Sequence, residues 1–132
     1  MADARVELIE ALTAATSRDE YEAVWAMYHP DVVYDWSRSR GPYHGVYSGL
    51  AEVQRFLEGM QDAWADLEFF HTELIPCGRG VVRVGGMRAK GRSSGVGIEA
   101  TGAQLFEFED GLVRRVTLFQ SRDEALAAAG AD

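Results

Sequence analysis

HPDVVYDWSRSRGPYHGVYSG, residues 29–49, holds a short strand followed by a loop loaded with groups able to bind or to do chemistry. Val32, Val33 and Tyr34 are β-branched or aromatic and read as the strand. Asp35, Trp36, Tyr43, His44 and Tyr47 follow within the loop. Such a strand, set between helices and a later run of strands, predicts the wall of a pocket.

Upstream, Val6, Ile9 and Leu12 recur at helical spacing and predict a helix over Asp3 to Thr16. Ser17 with Glu20 three residues on has the form of a capping box. Tyr21, Val24, Trp25 and Tyr28 then make one apolar stripe of a second helix, with Pro30 as its stop. Downstream, Leu50, Val53, Leu57, Met60 and Trp64 predict the third helix. Strands are expected over Leu67–Ile75, Val81–Lys90 and Val96–Glu109.

Asp110-Gly111 between alternating runs predicts a type I′ hairpin, because both central residues of that turn need positive φ. Counting outward places Phe108 opposite Val113, Glu107 opposite Arg114 and Leu105 opposite Val116. Arg88 and Glu99 fall roughly opposite one another across the Gly91–Ser94 turn, as a structural ion pair by default or, in the lesser reading, a pocket pair. Ser121 and Glu124 cap a short alanine-rich helix at the end. Helices apart from a meander of strands give an α+β class, one domain over residues 1–132.

The 132 residues carry a net charge of −8, which argues against nucleic acid or an anionic membrane surface as partner. Cys77 is alone, so no disulfide can form within the chain. No apolar run reaches the ~20 residues that cross a bilayer, and the N-terminus lacks a signal-peptide pattern, so a cytoplasmic location is expected. His29, His44 and His71 lack close spacing, so neither a metal nor a cofactor is expected.

The element order, with HPDVVYDW after the second helix, GVYSG before the third and FEDGLVRRVTLFQSRDEAL at the end, resembles the nuclear transport factor 2-like superfamily, in its SnoaL-like branch. The resemblance implies a cone-shaped, curved, antiparallel or mixed sheet wrapped around the N-terminal helices, with an internal pocket. It also implies a homodimer through the outer sheet face. The superfamily hosts isomerases, dehydratases, cyclases, epoxide hydrolases and binders, so the fold alone does not select among them. Trp36 stands where the ketosteroid isomerases keep their base. Leu12 stands near their tyrosine donor and Gln104 where they keep a protonated aspartic acid. The late strand that supplies an acid in SnoaL-type cyclases reads Thr117, Phe119, Gln120 and Ser121 here.

Asp35 is the best general base in the sequence, a carboxylate among aromatics that would desolvate it, with His44 as a second acid–base group. The plain alternative has Asp35 facing out or capping the following loop through Ser37, and His44 as an ordinary loop histidine. Tyr34, Trp36, Trp64 and Gln104 are the expected pocket lining. Strand alternation gives Tyr34 and Trp36 one face and Asp35 the other, unless a bulge within Ser37–Pro42 reverses it. Two functions follow: a cofactor-independent lyase, isomerase or hydrolase acting on an apolar metabolite through Asp35 and His44, or a non-catalytic binder of a hydrophobic small molecule.

Overall fold

A computed structural model describes residues 3–39 and 43–130. Helix α1 spans Ala4–Ser17 and is capped by Asp3, whose carboxylate accepts from the Arg5 amide at 2.9 Å. Ser17 is its last residue, not a new cap. Asp19 takes φ 59° and the Glu20 amide bonds back to the Ala15 carbonyl at 2.9 Å, so a left-handed C-cap replaces the expected Ser17–Glu20 box.

Helix α2 is short, Tyr21–Ala26, and strand β1 takes up Tyr28–Asp35. Tyr28 therefore opens a strand rather than closing a helical stripe. Its amide region pairs with Val113, and its ring packs edge-on to Tyr34 with centroids 5.8 Å apart. Pro30 lies inside β1, where the pairing shifts between Tyr28 and Val33, a place that tolerates a residue without an N–H. Residues 46–48, expected as loop, form β2, Val46–Ser48. Helix α3 (Leu50–Ala63), β3 (Trp64–Pro76), β4 (Val81–Gly91), β5 (Gly97–Glu109), β6 (Leu112–Phe119) and α4 (Arg122–Ala128) complete the chain. Ser121 caps α4 by accepting from the Glu124 amide at 3.2 Å, as its spacing predicts.

The strands form one curved mixed sheet in the order β2-β1-β6-β5-β4-β3, with β1 parallel to β6 and the other pairs antiparallel. Helices α1, α2 and α3 fill one face, where Ile9, Val24, Val53 and Met60 meet Val81, Phe106, Val113 and Val116. The other face is packed by α4, whose Ala125 and Ala129 cover Val82, Ala103, Leu105 and Phe119. Part of the outer surface that alternation leaves apolar is thus covered within the chain.

Asp110 and Gly111 take φ 55° and 76°, the type I′ turn. Phe108 pairs with Val113 as counted, but beyond it the register slips by one. Glu107 faces Arg115 and Leu105 faces Thr117, because Arg114 is bulged out of the ladder. The bulge lets Val113 and Val116, three residues apart, both point into the helical core. Arg114 instead bonds Glu109 at 3.2 Å and the Asp31 carbonyl. Arg88 and Glu99 are registered opposite one another with a 3.1 Å contact, and Glu68 joins from β3 at 3.2 Å.

Midway along β4 the chain reads Gly85-Gly86. A Cβ on Gly85 would lie 2.1 Å from the Phe70 carbonyl oxygen of β3, and one on Gly86 would lie 1.8 Å from that of Ala100 in β5. Consecutive residues are therefore pressed against both neighbouring strands, which only a residue without a side chain permits. The face lined by the helices opens beside this point into a cavity.

Candidate functional site

The cavity encloses about 450 Å³ between the sheet and the loop after β1. Its size is that of an ordinary small-molecule site. Trp36, Trp64, Phe69, Met87, Ile98 and Leu118 supply its apolar wall. Register explains why these residues meet. Phe69 pairs with Met87, Met87 with Ala100, and Gln104 with Leu118, so alternate positions on one face of four strands supply the wall. Where Gly85 faces Gly102 the wall is bare backbone.

The loop that closes the cavity is tied down at both ends. Trp36 exchanges backbone bonds with Gly45, at 2.8 and 3.4 Å, and the Tyr43 hydroxyl accepts from the Trp64 indole at 2.6 Å. Gln120 donates from its side chain to the Arg38 carbonyl at 2.6 Å. Below, Phe56 of α3 stacks on Tyr47 at 4.2 Å and meets Trp36 and Tyr43 edge-on, at 5.2 and 5.9 Å. Residues 40–42, which hold Gly41 and Pro42 of the loop and the last part of the stretch where a bulge was considered, lie outside the described residues.

At the inner end, Trp36, Phe69, Arg83 and Gln104 also line a second space of about 20 Å³, enough for roughly one water. Tyr28, Tyr34 and Thr16 face it too. The Tyr28 and Tyr34 hydroxyls bond each other, and burial raises the pKa of both, so both stay neutral. Arg83 reaches across to α1, donating from Nη1 to the Thr13 hydroxyl at 2.9 Å and from Nε to the Gln104 side-chain oxygen at 3.1 Å. Its guanidinium also lies 4.9 Å above the Phe106 ring.

Of the residues singled out from sequence, Trp36, Trp64 and Gln104 line the large space and Tyr34 the small one. Asp35 and His44 line neither. The register Asp35–Thr117–Leu105 puts Asp35 on the α4 face of the sheet. There its carboxylate accepts from Arg115 at 2.8 Å and from the Ser37 hydroxyl and amide at 2.6 and 3.1 Å. The two oxygens are thus engaged away from the cavity. His44 is exposed. Arg83 is the residue that sequence reasoning passed over. Its signal is a lone charge in Val81-Val82-Arg83-Val84, a run apolar on both sides, as suits a strand buried on both faces.

Burial by itself would raise the Asp35 pKa, but the Ser37 hydrogen bonds and the Arg115 and Arg38 charges outweigh it and bring the pKa below the ordinary value. A group with a depressed folded pKa stabilises above its unfolded pKa, and that contribution is lost as pH falls through the folded value. Following the Asp35 carboxyl carbon by NMR is expected to give a midpoint below the ~3.9 of a free aspartate. A midpoint above it would put Asp35 back among the candidate bases.

His29, Glu109 and Asp110 bring potential metal-ligand atoms within 4.8 Å of one another at the β5–β6 hairpin. Both carboxylates are exposed, and the His29 Nδ1 already accepts from the Asp31 amide at 3.0 Å.

A curved α+β sheet wrapped on helices, with a cavity inside, defines a member of the nuclear transport factor 2-like superfamily. The profile of the SnoaL-like domain matches residues 9–116, and the chain belongs to that family. No curated protein matches it. An NTF2-like protein from Burkholderia pseudomallei K96243 superposes with a TM-score of 0.78 at 20% identity, over 98% of this chain and 100% of that one. RV0760c from Mycobacterium tuberculosis, in complex with estradiol-17beta-hemisuccinate, gives 0.77 at 16% identity, over 92% and 97%. TerC, co-crystallized with polyporic acid, gives 0.75 at 19% identity, over 96% and 98%. At these identities the similarity speaks for the fold.

Proposed function

We propose that the protein is a binder of a largely apolar, flat small molecule, held in the 450 Å³ cavity without being chemically changed. The observation that carries this is the composition of the wall. Aromatic and aliphatic side chains dominate it, and among the described residues no carboxylate or imidazole lines it. Carboxylates and imidazoles are the commonest general acids and bases, and the phenol on the wall, Tyr43, is engaged by the Trp64 indole at 2.6 Å. The occurrence of RV0760c and TerC with small molecules supports an occupied pocket in this fold. The catalytic alternative through Asp35 and His44 loses its geometric basis with Asp35 on the α4 face.

The test uses 2-naphthamide as a neutral aromatic probe, followed by quenching of the Trp36 and Trp64 fluorescence. Ala100 lies on the cavity wall beside Met87, so Ala100→Phe is expected to weaken binding at least tenfold while Asp35→Asn leaves it unchanged. Binding that survives Ala100→Phe would place the probe elsewhere and overturn the pocket reading.

A further inference from the structure

We infer that the occupant of the cavity is an organic acid, bound with its carboxylate against Arg83 and its apolar body toward Trp36 and Trp64. The inference rests on the pocket reading above and adds the charge and orientation of the ligand.

Arg83 is 9% exposed, and among the described residues no carboxylate lies within ion-pairing distance of it. Arg5, Arg38, Arg79, Arg88, Arg114, Arg115 and Arg122 each have an acidic partner. Arg83 is the buried arginine among the described residues, and it has no counter-charge, the reverse of what burial demands. Its acceptors are the Thr13 hydroxyl and the Gln104 amide oxygen, both neutral. Tyr28 and Tyr34 offer no anion either, since their hydroxyls stay protonated.

The hydrogen-bond inventory points the same way. A guanidinium has five N–H donors, and three are used, one each from Nε and Nη2 to Gln104 and one from Nη1 to Thr13. One N–H on each terminal nitrogen is left over. Because a guanidinium only donates, Gln104 must turn its oxygen toward Arg83, which leaves its NH₂ as a further donor on a residue that lines the cavity. The Trp36 indole Nε1 is buried and meets no acceptor among the described residues. Arg83, Gln104 and Trp36 line the inner end of both spaces, so N–H donors gather there, and the acceptors beside them, the Thr16, Tyr28 and Tyr34 hydroxyls, are all neutral. A carboxylate supplies what is missing: two oxygens, only accepting, and one negative charge matched to the guanidinium fork. An alcohol brings a donor along with its acceptor, and neither an alcohol nor an amine brings a negative charge to set against the guanidinium.

The chain as a whole repels anions, with its net charge of −8. A preference for an acid can therefore arise only from a local site. The experiment compares 2-naphthoate with 2-naphthamide, which share a shape and differ in charge, by titration calorimetry at moderate salt. The expected result is at least tenfold tighter binding of the acid to the native protein. Arg83→Met is expected to remove that preference while the amide still binds, and Arg83→Lys to retain part of it. Should Arg83→Met not fold, the native ratio and the Lys variant still decide. Equal binding of acid and amide overturns the inference and leaves the pocket reading in place. So does an acid preference that persists in Arg83→Met, because it would belong to another cation. Binding of neither probe overturns the pocket reading and this inference with it.

Discussion

Phe106→Ala is expected to cost about 3–5 kcal/mol of stability, a loss read from the midpoint of urea unfolding. Phe106 is 1% exposed and heads the fully buried side chains by volume. It lies toward the C-terminal end of β5, registered against Val81 on one side and Val116 on the other, both themselves without exposure. Three strands and their covering helices fix the space around it, so the surroundings have little freedom to collapse into the hole. The truncation also removes the ring beneath the Arg83 guanidinium, 4.9 Å away, and leaves that charge facing a void. Phe106→Leu keeps most of the volume and is expected to lose much less. An alanine variant within ~1 kcal/mol of the native protein would mean that the ring is not the centre of the core.

Gly86→Ala is expected to destabilise by about 3 kcal/mol or more, although it adds a single methyl group. The added carbon would sit 1.8 Å from the Ala100 carbonyl oxygen and 2.9 Å from the Thr101 Cα. Both are backbone atoms held in the β4–β5 ladder, so neither can rotate away as a side chain would. Relief requires the two strands to part within their ladder. Gly59 gives the control. It lies within α3 with nothing within 4 Å of a Cβ, so Gly59→Ala is expected to stabilise by up to ~1 kcal/mol through helix propensity. Thermal unfolding of the pair separates a steric cost from a general intolerance of alanine.

What was legible in the sequence was local. Asp110-Gly111 fixes its own turn because the φ requirement is carried by the two residues themselves, and Arg88 with Glu99 follows by counting from a short turn. Ser121 caps α4 for the same reason. Where the reading differed from the structure, a competing contact decided, local in the first case and distant in the other two. The Ser17–Glu20 spacing is a sound cap signal, but Asp19 closes α1 in the left-handed region instead. Tyr28 continues a helical stripe on paper, yet pairing with Val113, far along the chain, draws it into β1. The Arg114 bulge answers to the need of Val113 and Val116 to face one core, which counting from the turn cannot register.

The candidate site divides in the same way. Alternation along β1 places Trp36 and Asp35 on opposite faces, and Gln104 stands out as an amide between apolar positions. Arg83 draws its meaning from what surrounds it: Thr13, seventy positions away, and the absence of an acid nearby. Neither is written next to it in the chain.

The stretch of cavity wall where Gly85 faces Gly102 has no rotamers. A side chain that lines a pocket loses torsional freedom when a ligand presses on it, about 0.5–1.5 kcal/mol for a flexible one. Peptide units already held in a ladder have no such freedom to give up. A flat molecule lying there meets a surface whose shape was settled when the sheet folded. Selection at that wall therefore works through contour: the curvature of β4 and β5, and not the adjustment of side chains, sets which thickness of ligand is admitted.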